Sequence, residues 1–263
     1  MKIWQIILFI LLSACKNISE PDQQIIQIQP SAAVVPAPQE PIASVAPISF
    51  IDYCNINNGV IGSGRLVVTP LERNVLIVAI GSSSTEGIGA STPEKSYPAF
   101  MQSFLNKNTK NVTFVVVNKG VSGDTIGGIE ARLDRDVLSQ QPQVVLLQTG
   151  LSDALSGSST ADYYAGLTRV VKKLKKNSSV ILMNSQLYPG EPSNHLGILA
   201  ILNTVAAEQN VPVVDRYGVF SKAINKNFVK IEDILASDKM HNNDLGYQCM
   251  GKIIAELIII ATN

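Results

Sequence analysis

Between residues 74 and 214 the chain contains five short runs of apolar residues separated by polar segments. The runs are continuous rather than alternating, which indicates strands that are buried on both faces of a sheet. We predict strands at Asn74–Ile80, Val112–Val117, Val144–Gln148, Val180–Met183 and Val211–Val214.

Helical patterns lie between and after these strands. Apolar residues recur three or four apart at Ile126, Ile129, Leu133 and Val137 and at Tyr164, Leu167, Val171 and Leu174. A third helix is predicted within Leu196–Glu208 and a last one from about Asp244 to Ile260. The alternation predicts the α/β class: a three-layer α/β/α arrangement around a five-stranded parallel sheet. Sites in such folds lie beyond the carboxyl ends of the strands.

The N-terminus has the pattern of an export signal. Lys2 precedes the apolar run Ile3–Leu12, which is too short to span a bilayer and has signal-peptide proportions. The ending Leu12-Ser13-Ala14-Cys15 resembles a bacterial lipobox, which implies that Cys15 is lipidated and anchors the protein to a membrane. An ordinary secretory signal or a signal anchor with an incidental cysteine is the alternative.

Composition divides the rest of the chain into a tether and one domain. Residues 16–49 contain the prolines Pro21, Pro30, Pro36, Pro38, Pro41 and Pro47. Such a segment buries too little apolar surface to fold alone, so we predict a tether there and a globular domain at residues 50–263. The chain's 21 basic and 21 acidic residues cancel, which argues against a nucleic-acid partner. We expect a monomer.

Two further cysteines lie in the predicted domain. Cys54 stands at its start and Cys249 in its last predicted helix. In an exported protein such a pair forms either a disulfide or two buried free thiols, and both alternatives are open. No His or Cys spacing is typical of a metal site, and Gly87-Ile88-Gly89 lacks the rest of a dinucleotide fingerprint.

Two distant motifs carry candidate chemistry. Gly81-Ser82-Ser83-Ser84-Thr85 follows the first strand, and Asp238-Lys239-Met240-His241 precedes the last helix. Together they offer the nucleophile, the base and the orienting carboxylate that ester hydrolysis needs. Any of the three serines fits at this point. His195 has no carboxylate at the same spacing, so we interpret it as a residue of the cleft rim or the surface.

Two further segments extend the pattern. Ser122-Gly123-Asp124-Thr125 follows the second strand, and Gly150-Leu151-Ser152-Asp153 follows the third. In order and spacing, the four segments resemble the blocks of the SGNH hydrolases, the GDSL-type esterases and lipases, over roughly residues 73–260. The resemblance implies a flavodoxin-like SGNH fold without a cofactor. It also implies Ser83 as nucleophile, His241 as base, Asp238 as its orienter, and the amides of Ser83 and Gly123 as oxyanion donors.

The sequence departs from the family pattern at two positions. Ser82 replaces the acid of the first block, and Ser152 replaces the asparagine whose side chain donates to the oxyanion. A hydroxyl also donates a hydrogen bond, but with a shorter reach than an amide. We expect Ser152 to act as the third donor. The alternatives are that a water fills the gap or that activity is low.

The function expected from this resemblance is hydrolysis of carboxylic esters, acyl or acetyl, through an acyl-enzyme. Small-molecule and glycan esters both fit, and the loop Leu187–Glu191 is expected to help shape the cleft. The resemblance to a lipobox implies that the activity is located at the bacterial cell envelope. Two alternatives are open: a catalytically impaired binding or scaffold lipoprotein on the same fold, and an acyltransferase to an envelope glycan.

Overall fold

A six-stranded sheet is the centre of the computed structural model, which describes residues 48–62, 64–70 and 73–262. Its strands are β1 (Val60–Ile61), β2 (Asn74–Gly81), β3 (Thr113–Gly120), β4 (Val144–Gln148), β5 (Ser179–Met183) and β6 (Val213–Val214). Their order across the sheet is β1-β6-β5-β4-β2-β3, and β2 to β6 are parallel. The predicted signal segment with Cys15, and the tether as far as residue 47, lie outside the described residues.

The five predicted strands are the five parallel strands. The sixth strand, β1, was not predicted; it pairs antiparallel with β6, with Val60 opposite Val214. Two residues are too few to show a period. The expectation that the second predicted strand is buried on both faces was wrong, because β3 lies at the edge of the sheet and Val115 is 47% exposed.

Helices flank the sheet on both sides. Their bounds are α1 (Phe50–Tyr53), α2 (Ile56–Gly59), α3 (Ser83–Glu86), α4 (Tyr97–Asn108), α5 (Ile126–Asp136), α6 (Leu151–Leu155), α7 (Thr160–Leu174), α8 (His195–Gln209), α9 (Arg216–Asn225), α10 (Ile231–Ile234) and α11 (Asp244–Thr262). The predicted helices correspond to α5, α7, α8 and α11. Two of the longer helices, α4 and α9, were not predicted.

The central strand β2 separates two apolar layers. Val75, Ile77 and Ala79 face the layer that contains residues of α4, α9 and α11. Val78 and Ile80 face the layer that contains residues of α5, α7 and α8. Alternate side chains of one strand are therefore buried on opposite faces, which explains the continuous apolar run and confirms the three-layer class.

The predicted apolar stripe of α7 needs one correction. Leu167, Val171 and Leu174 are buried, but Tyr164 is not; its hydroxyl donates to Glu208 at 2.8 Å. The neighbouring Tyr163 is buried in its place.

The last helix, α11, is a core element of the domain. By length and composition alone it is the one helix within the described ranges that could cross a membrane, yet half of its apolar window is buried. Ile253, Ile254 and Ile258 are fully buried in the first apolar layer. A disulfide joins Cys249 on this helix to Cys54 at the end of α1, which decides between the two alternatives for these cysteines.

Loss of this disulfide is predicted to destabilise the domain strongly. The bridge closes a loop with a sequence separation of 195 residues. In the chain-entropy model, such a constraint on the unfolded state stabilises the fold by roughly 5 kcal/mol. The Cys54→Ala/Cys249→Ala variant is expected to unfold at a clearly lower urea concentration than the parent. Reductant should lower the parent's midpoint and leave the variant's unchanged. Equal midpoints for parent and variant without reductant would contradict the prediction.

Candidate active site

Three loops carry the candidate residues from neighbouring strands to one edge of the sheet. Strand β2 pairs in register with β3 as far as Gly81 opposite Gly120, and with β4 as far as Ile80 opposite Leu147. The segments after these strands carry Ser83, Gly123 and Ser152, respectively. Because the strands are parallel, their carboxyl ends lie at one edge, where clefts form in this class of fold.

The turn after β2 presents one serine and buries its neighbours. Helix α3 begins at Ser83, whose side chain is partly exposed, whereas Ser82 and Ser84 are 3% and 1% exposed. The turn is tight: a Cβ at Gly81 would lie 2.3 Å from Thr85 Oγ1, and one at Gly120 would lie 2.0 Å from the amide nitrogen of Glu86. Of the three candidate serines, Ser83 is thus the one that faces the cleft.

The side chain of Gln148, the last residue of β4, holds this turn in place. Its side-chain oxygen accepts hydrogen bonds from the amide of Ser82 at 3.1 Å and from the hydroxyl of Thr85 at 3.0 Å. The residue is fully buried, so these bonds are shielded from water. Gln148 was not predicted from the sequence, because a single polar residue at the end of an apolar strand belongs to no recognisable motif.

The segment before α11 completes a chain of hydrogen bonds to Ser83. His241 Nε2 lies 2.8 Å from Ser83 Oγ, and His241 Nδ1 lies 2.6 Å from Asp238 Oδ2. The other carboxylate oxygen of Asp238 accepts from the amides of Met240 and His241 at 2.9 and 3.0 Å. The structure therefore brings together the predicted nucleophile, base and orienter.

The environment favours the ionised form of Asp238. Burial alone would raise the pKa of Asp238, but hydrogen bonds from the His241 ring and from two backbone amides outweigh burial and hold this pKa below its usual value. The carboxylate therefore keeps its charge and accepts a hydrogen bond from the N–H group at Nδ1 of His241. That tautomer leaves Nε2 free to accept the proton of the Ser83 hydroxyl.

Local contacts fix the segment that carries His241. The amide of Ala236 donates to the carbonyl of His241 at 2.8 Å. Gly89 packs against the other side with a φ of +95°, and a Cβ there would lie 2.9 Å from His241 Cβ. The Asp244 carboxylate accepts from the amide and hydroxyl of Ser91 at 2.8 and 2.6 Å. The backbone that carries His241 is thus held against the segment Gly89–Ser91, which is distant in sequence.

The predicted oxyanion donors lie on the three loops without competing partners. Neither the amide of Ser83 nor that of Gly123 donates a hydrogen bond in the part of the chain that the structure describes. Gly123 has a φ of +77°, and a Cβ there would point into open space. The half-buried Ser152 hydroxyl likewise has no hydrogen-bond partner among residues 73–262. All three donors remain available for a ligand.

Asp153 joins two of these loops. Its carboxylate accepts from the amide of Ile126 at 2.9 Å and from the hydroxyl of Thr149 at 3.2 Å. Burial raises the pKa of Asp153. Ile126 is the first residue of α5, and Thr125 caps this helix: its side chain accepts a hydrogen bond from the amide of Gly128. The loops that carry Gly123 and Ser152 are therefore tied together at their bases.

The interpretation of His195 as a rim or surface residue was wrong. Its side chain is fully buried at the start of α8, and its Nε2 lies 2.6 Å from Ser185 Oγ. A carboxylate is also nearby, since Glu191 Oε2 lies 3.2 Å from His195 Nδ1. Burial lowers the pKa of His195. Local sequence does not reveal this burial, because it arises from the docking of α8.

The buried guanidinium of Arg216 also supports the site and was not predicted from the sequence. Arg216 donates from Nη2 to Gln186 Oε1 at 2.8 Å and from Nε to the carbonyl of Asn184 at 3.2 Å. Burial lowers its pKa to about 10. The same Gln186 oxygen accepts from the hydroxyl of Ser84 at 3.2 Å. Arg216 therefore supports the floor of the turn that presents Ser83.

A cavity of about 460 Å³ adjoins the Asp238 segment. Its lining residues are Pro189, Ile231, Glu232, Leu235, Ala236, Ser237 and Lys239. The lining includes Pro189 from the loop expected to shape the cleft. Among the described residues, no group of three or more His, Cys, Asp or Glu side chains is arranged to hold a metal ion.

Comparison with known proteins identifies the family. The model of the non-GDSL lipase-like family matches residues 68–263, more than half of the chain. The chain belongs to this family. It is a serine ester hydrolase of the SGNH type.

Named relatives of this hydrolase are esterases. Esterase TesA of Pseudomonas aeruginosa is 26% identical over 140 residues, which are 52% of this chain and 68% of that protein. The acetylxylan esterase of Geobacillus stearothermophilus is 23% identical over 201 residues, which are 67% of this chain and 90% of that protein.

Solved structures share the fold. A two-domain esterase active on acetylated mannans superposes with a TM-score of 0.64 at 20% identity, over 78% of this chain and 56% of the other. This chain thus spans little more than half of that protein. A putative lipolytic protein of the G-D-S-L family from Desulfitobacterium hafniense superposes with a TM-score of 0.59 at 26% identity, over 70% of this chain and 99% of the other.

Asp238→Asn is predicted to impair turnover through the tautomer of His241. The amide of the new side chain can donate a hydrogen bond to Nδ1, which favours the tautomer with the proton on Nε2. A protonated Nε2 cannot accept the hydrogen bond or the proton of Ser83. We expect kcat on p-nitrophenyl acetate to fall by about 10²- to 10⁴-fold. Asp134→Asn, which alters an exposed carboxylate paired with Lys173, is the control and should leave kcat unchanged. Equal kcat values for both variants would contradict the prediction.

Proposed function

We propose that this hydrolase forms an acyl-enzyme on Ser83 and that His241 and Asp238 assist both of its steps. The observation that carries the proposal is the unbroken chain from Ser83 Oγ to His241 Nε2 at 2.8 Å and from His241 Nδ1 to Asp238 at 2.6 Å. These distances are within the range required for proton transfer between a nucleophile and its base.

The chain of bonds supports a two-step reaction. In the first step Ser83 Oγ attacks the ester carbonyl carbon while His241 Nε2 takes the serine proton. The bond to the alcohol oxygen then breaks, and the imidazolium returns the proton to the departing alcohol. In the second step a water, deprotonated by His241, attacks the acyl-enzyme. The acid leaves and Ser83 regains its proton.

Three donors are proposed to stabilise the negative oxygen that forms in each step. These are the amides of Ser83 and Gly123 and the hydroxyl of Ser152. Preorganised donors of this kind act on charge that develops only in the transition state, and loss of one typically lowers kcat by about 10²–10³-fold. Their availability supports the proposal, since none of them donates elsewhere in the described part of the chain.

The proposed substrates are acetyl or short acyl esters of small molecules or glycans. Two relatives, one named acetylxylan esterase and one described as active on acetylated mannans, support the glycan class. The name of Esterase TesA indicates ester hydrolysis without a substrate class.

A binding protein with little catalysis is the second candidate function. The observation that favours it is Ser152 in the place of the family's asparagine, because the shorter hydroxyl has less reach toward the oxyanion. A fold of this type does not ensure activity. Covalent labelling at Ser83 separates the two candidates.

We also propose that the hydrolase acts at the bacterial cell envelope, attached through Cys15. The lipobox-like ending of the apolar N-terminal run supports this location. The disulfide between Cys54 and Cys249 is consistent with it, because disulfides persist in oxidising compartments. The proline-rich residues 16–49 would then separate the domain from the membrane.

Ser83→Ala is predicted to abolish hydrolysis of p-nitrophenyl acetate and of acetylated xylo- and manno-oligosaccharides. The variant lacks the attacking oxygen but keeps the fold, which thermal unfolding should confirm. A fluorophosphonate probe should label the parent at Ser83, as mapped by peptide mass spectrometry. Ser139→Ala changes an exposed serine and should retain both activity and labelling. Adducts on Ser82 or Ser84, or turnover by Ser83→Ala, would overturn the assignment.

Cys15→Ser is predicted to release the protein from membranes. Without a thiol at this position no thioether-linked lipid can form, so the protein expressed in a bacterial host should move from the membrane to the soluble envelope fraction or remain unprocessed. Metabolic labelling with an alkyne fatty acid measures the modification directly. Ser31→Ala, in the predicted tether, keeps all three cysteines; it is the control and should still incorporate label. Labelling of Cys15→Ser to the level of the parent would refute the anchor.

A further inference from the structure

A second serine–histidine–carboxylate arrangement lies near Gly150–Asp153, the segment that carries Ser152 and is called the oxyanion loop below. Ser185, two residues after β5, has its Oγ 2.6 Å from His195 Nε2. His195 Nδ1 lies 3.2 Å from Glu191 Oε2, although without an aligned hydrogen bond. Glu191 in turn accepts from the hydroxyl of Tyr217 at 3.1 Å. The chain of Ser83, His241 and Asp238 does not use any of these residues.

Burial excludes this arrangement from acting as a second nucleophilic site. Ser185 and His195 are both fully buried, so no ester can reach the Ser185 hydroxyl. A buried neutral histidine with a short hydrogen bond instead fixes the position and direction of its partner. The partner here is the hydroxyl of Ser185.

The Ser185 hydroxyl lies close to Gly150, the first residue of the oxyanion loop. Gly150 has a φ of +116°, and a Cβ there would lie 3.5 Å from Ser185 Oγ. The same Cβ would lie 3.3 Å from Ile198 Cγ2, on the helix that carries His195. A Cβ at Gly150 would also lie 3.4 Å from the hydroxyl oxygen of Tyr163 on α7, so this face of Gly150 is directed at Ser185, α7 and the start of α8.

The position of Ser152 depends on how the backbone at Gly150 is held, because Gly150 is the N-cap of the helix that carries Ser152. Ser152 is the second residue of α6, a helix of 5 residues whose N-cap Gly150 provides no side-chain hydrogen bond. The Ser152 hydroxyl itself has no hydrogen-bond partner among residues 73–262. The backbone of α6 places this hydroxyl, and that backbone is held by the Asp153 carboxylate and by the hydrogen bond from the amide of Ala154 to the carbonyl of Gly150 at 3.0 Å.

We infer that His195 is a positioning residue for the oxyanion loop: by holding the Ser185 hydroxyl under Gly150, it sets the Ser152 hydroxyl for the transition state. The inference rests on the proposed function, in which Ser152 is the third oxyanion donor. It assigns no contact between His195 and the substrate.

The role predicts an effect on kcat rather than on KM. Ser152 interacts strongly only with charge that develops in the transition state, so a misplaced hydroxyl lowers kcat and leaves ground-state binding nearly unchanged. A displacement of about 1 Å in such a group can cost turnover about 10²-fold. A purely structural role for His195 would instead lower stability and the active fraction.

A double-mutant cycle on the full-length protein tests the inference. His195→Phe and Ser152→Ala are made singly and together, and kcat and KM on p-nitrophenyl acetate are corrected for active sites titrated with fluorophosphonate. We expect His195→Phe to lower kcat by about tenfold and to change KM by less than about twofold. In the Ser152→Ala background the same substitution should change kcat by less than about twofold, because both act through one donor.

Two further variants complete the design. His195→Gln keeps a side chain that can hydrogen-bond to Ser185 and should recover part of the lost kcat. Leu196→Ala changes an exposed side chain on the same helix and should leave kcat unchanged. If His195→Phe fails to fold, Ser185→Ala replaces it in the cycle with the same expectation.

Three results would overturn the inference: an unchanged kcat in His195→Phe, an equal loss of kcat in the parent and Ser152→Ala backgrounds, or a neutral Ser152→Ala. A neutral Ser152→Ala would also remove Ser152 from the proposed oxyanion donors, but none of the three results affects the assignment of Ser83, His241 and Asp238. Labelling at Ser83 and the inactivity of Ser83→Ala test that assignment separately.

Discussion

The parallel pairing of β2 with both of its neighbours is the constraint on which the site depends. Gly81 lies opposite Gly120, and the register with β4 ends one residue earlier, at Ile80 and Leu147. This register brings three loop starts to one sheet edge within a few residues of each other. A shift of one residue would exchange the faces of β2 and move the Ser83 turn away from its supports.

The hydrogen bond between Ser83 and His241 joins residues that are 158 positions apart in sequence, so it forms only if α11 docks correctly. The buried residues of α11 and the disulfide at Cys249 fix this helix against the sheet, while the Asp244 carboxylate binds Ser91 at its start. Apolar packing of α11 in the core therefore aligns His241 with Ser83 at the surface. The nucleophile turn has its own supports, because Gln148 fixes the turn through Ser82 and Thr85.

The sequence alone predicted much of this architecture. The apolar runs located the parallel strands because each predicted run spans at least four residues, although β6 itself has two. β1 has two residues and a partner remote in sequence. The motifs identified the residues that the structure brings together at Ser83. Gln148 and Arg216 were missed, because their roles arise from strand register and helix docking. His195 was misinterpreted for the same reason.

Three loops from adjacent strands should form one oxyanion site beside Ser83. A crystal structure of the protein inhibited by a methyl phosphonate ester would show this site occupied, because the phosphonyl oxygen takes the place of the oxyanion. We expect phosphorus bonded to Ser83 Oγ, with this oxygen about 2.7–3.1 Å from the amide nitrogens of Ser83 and Gly123 and within hydrogen-bond reach of the Ser152 hydroxyl. A phosphonyl oxygen directed to solvent, or an adduct on another serine, would contradict this expectation.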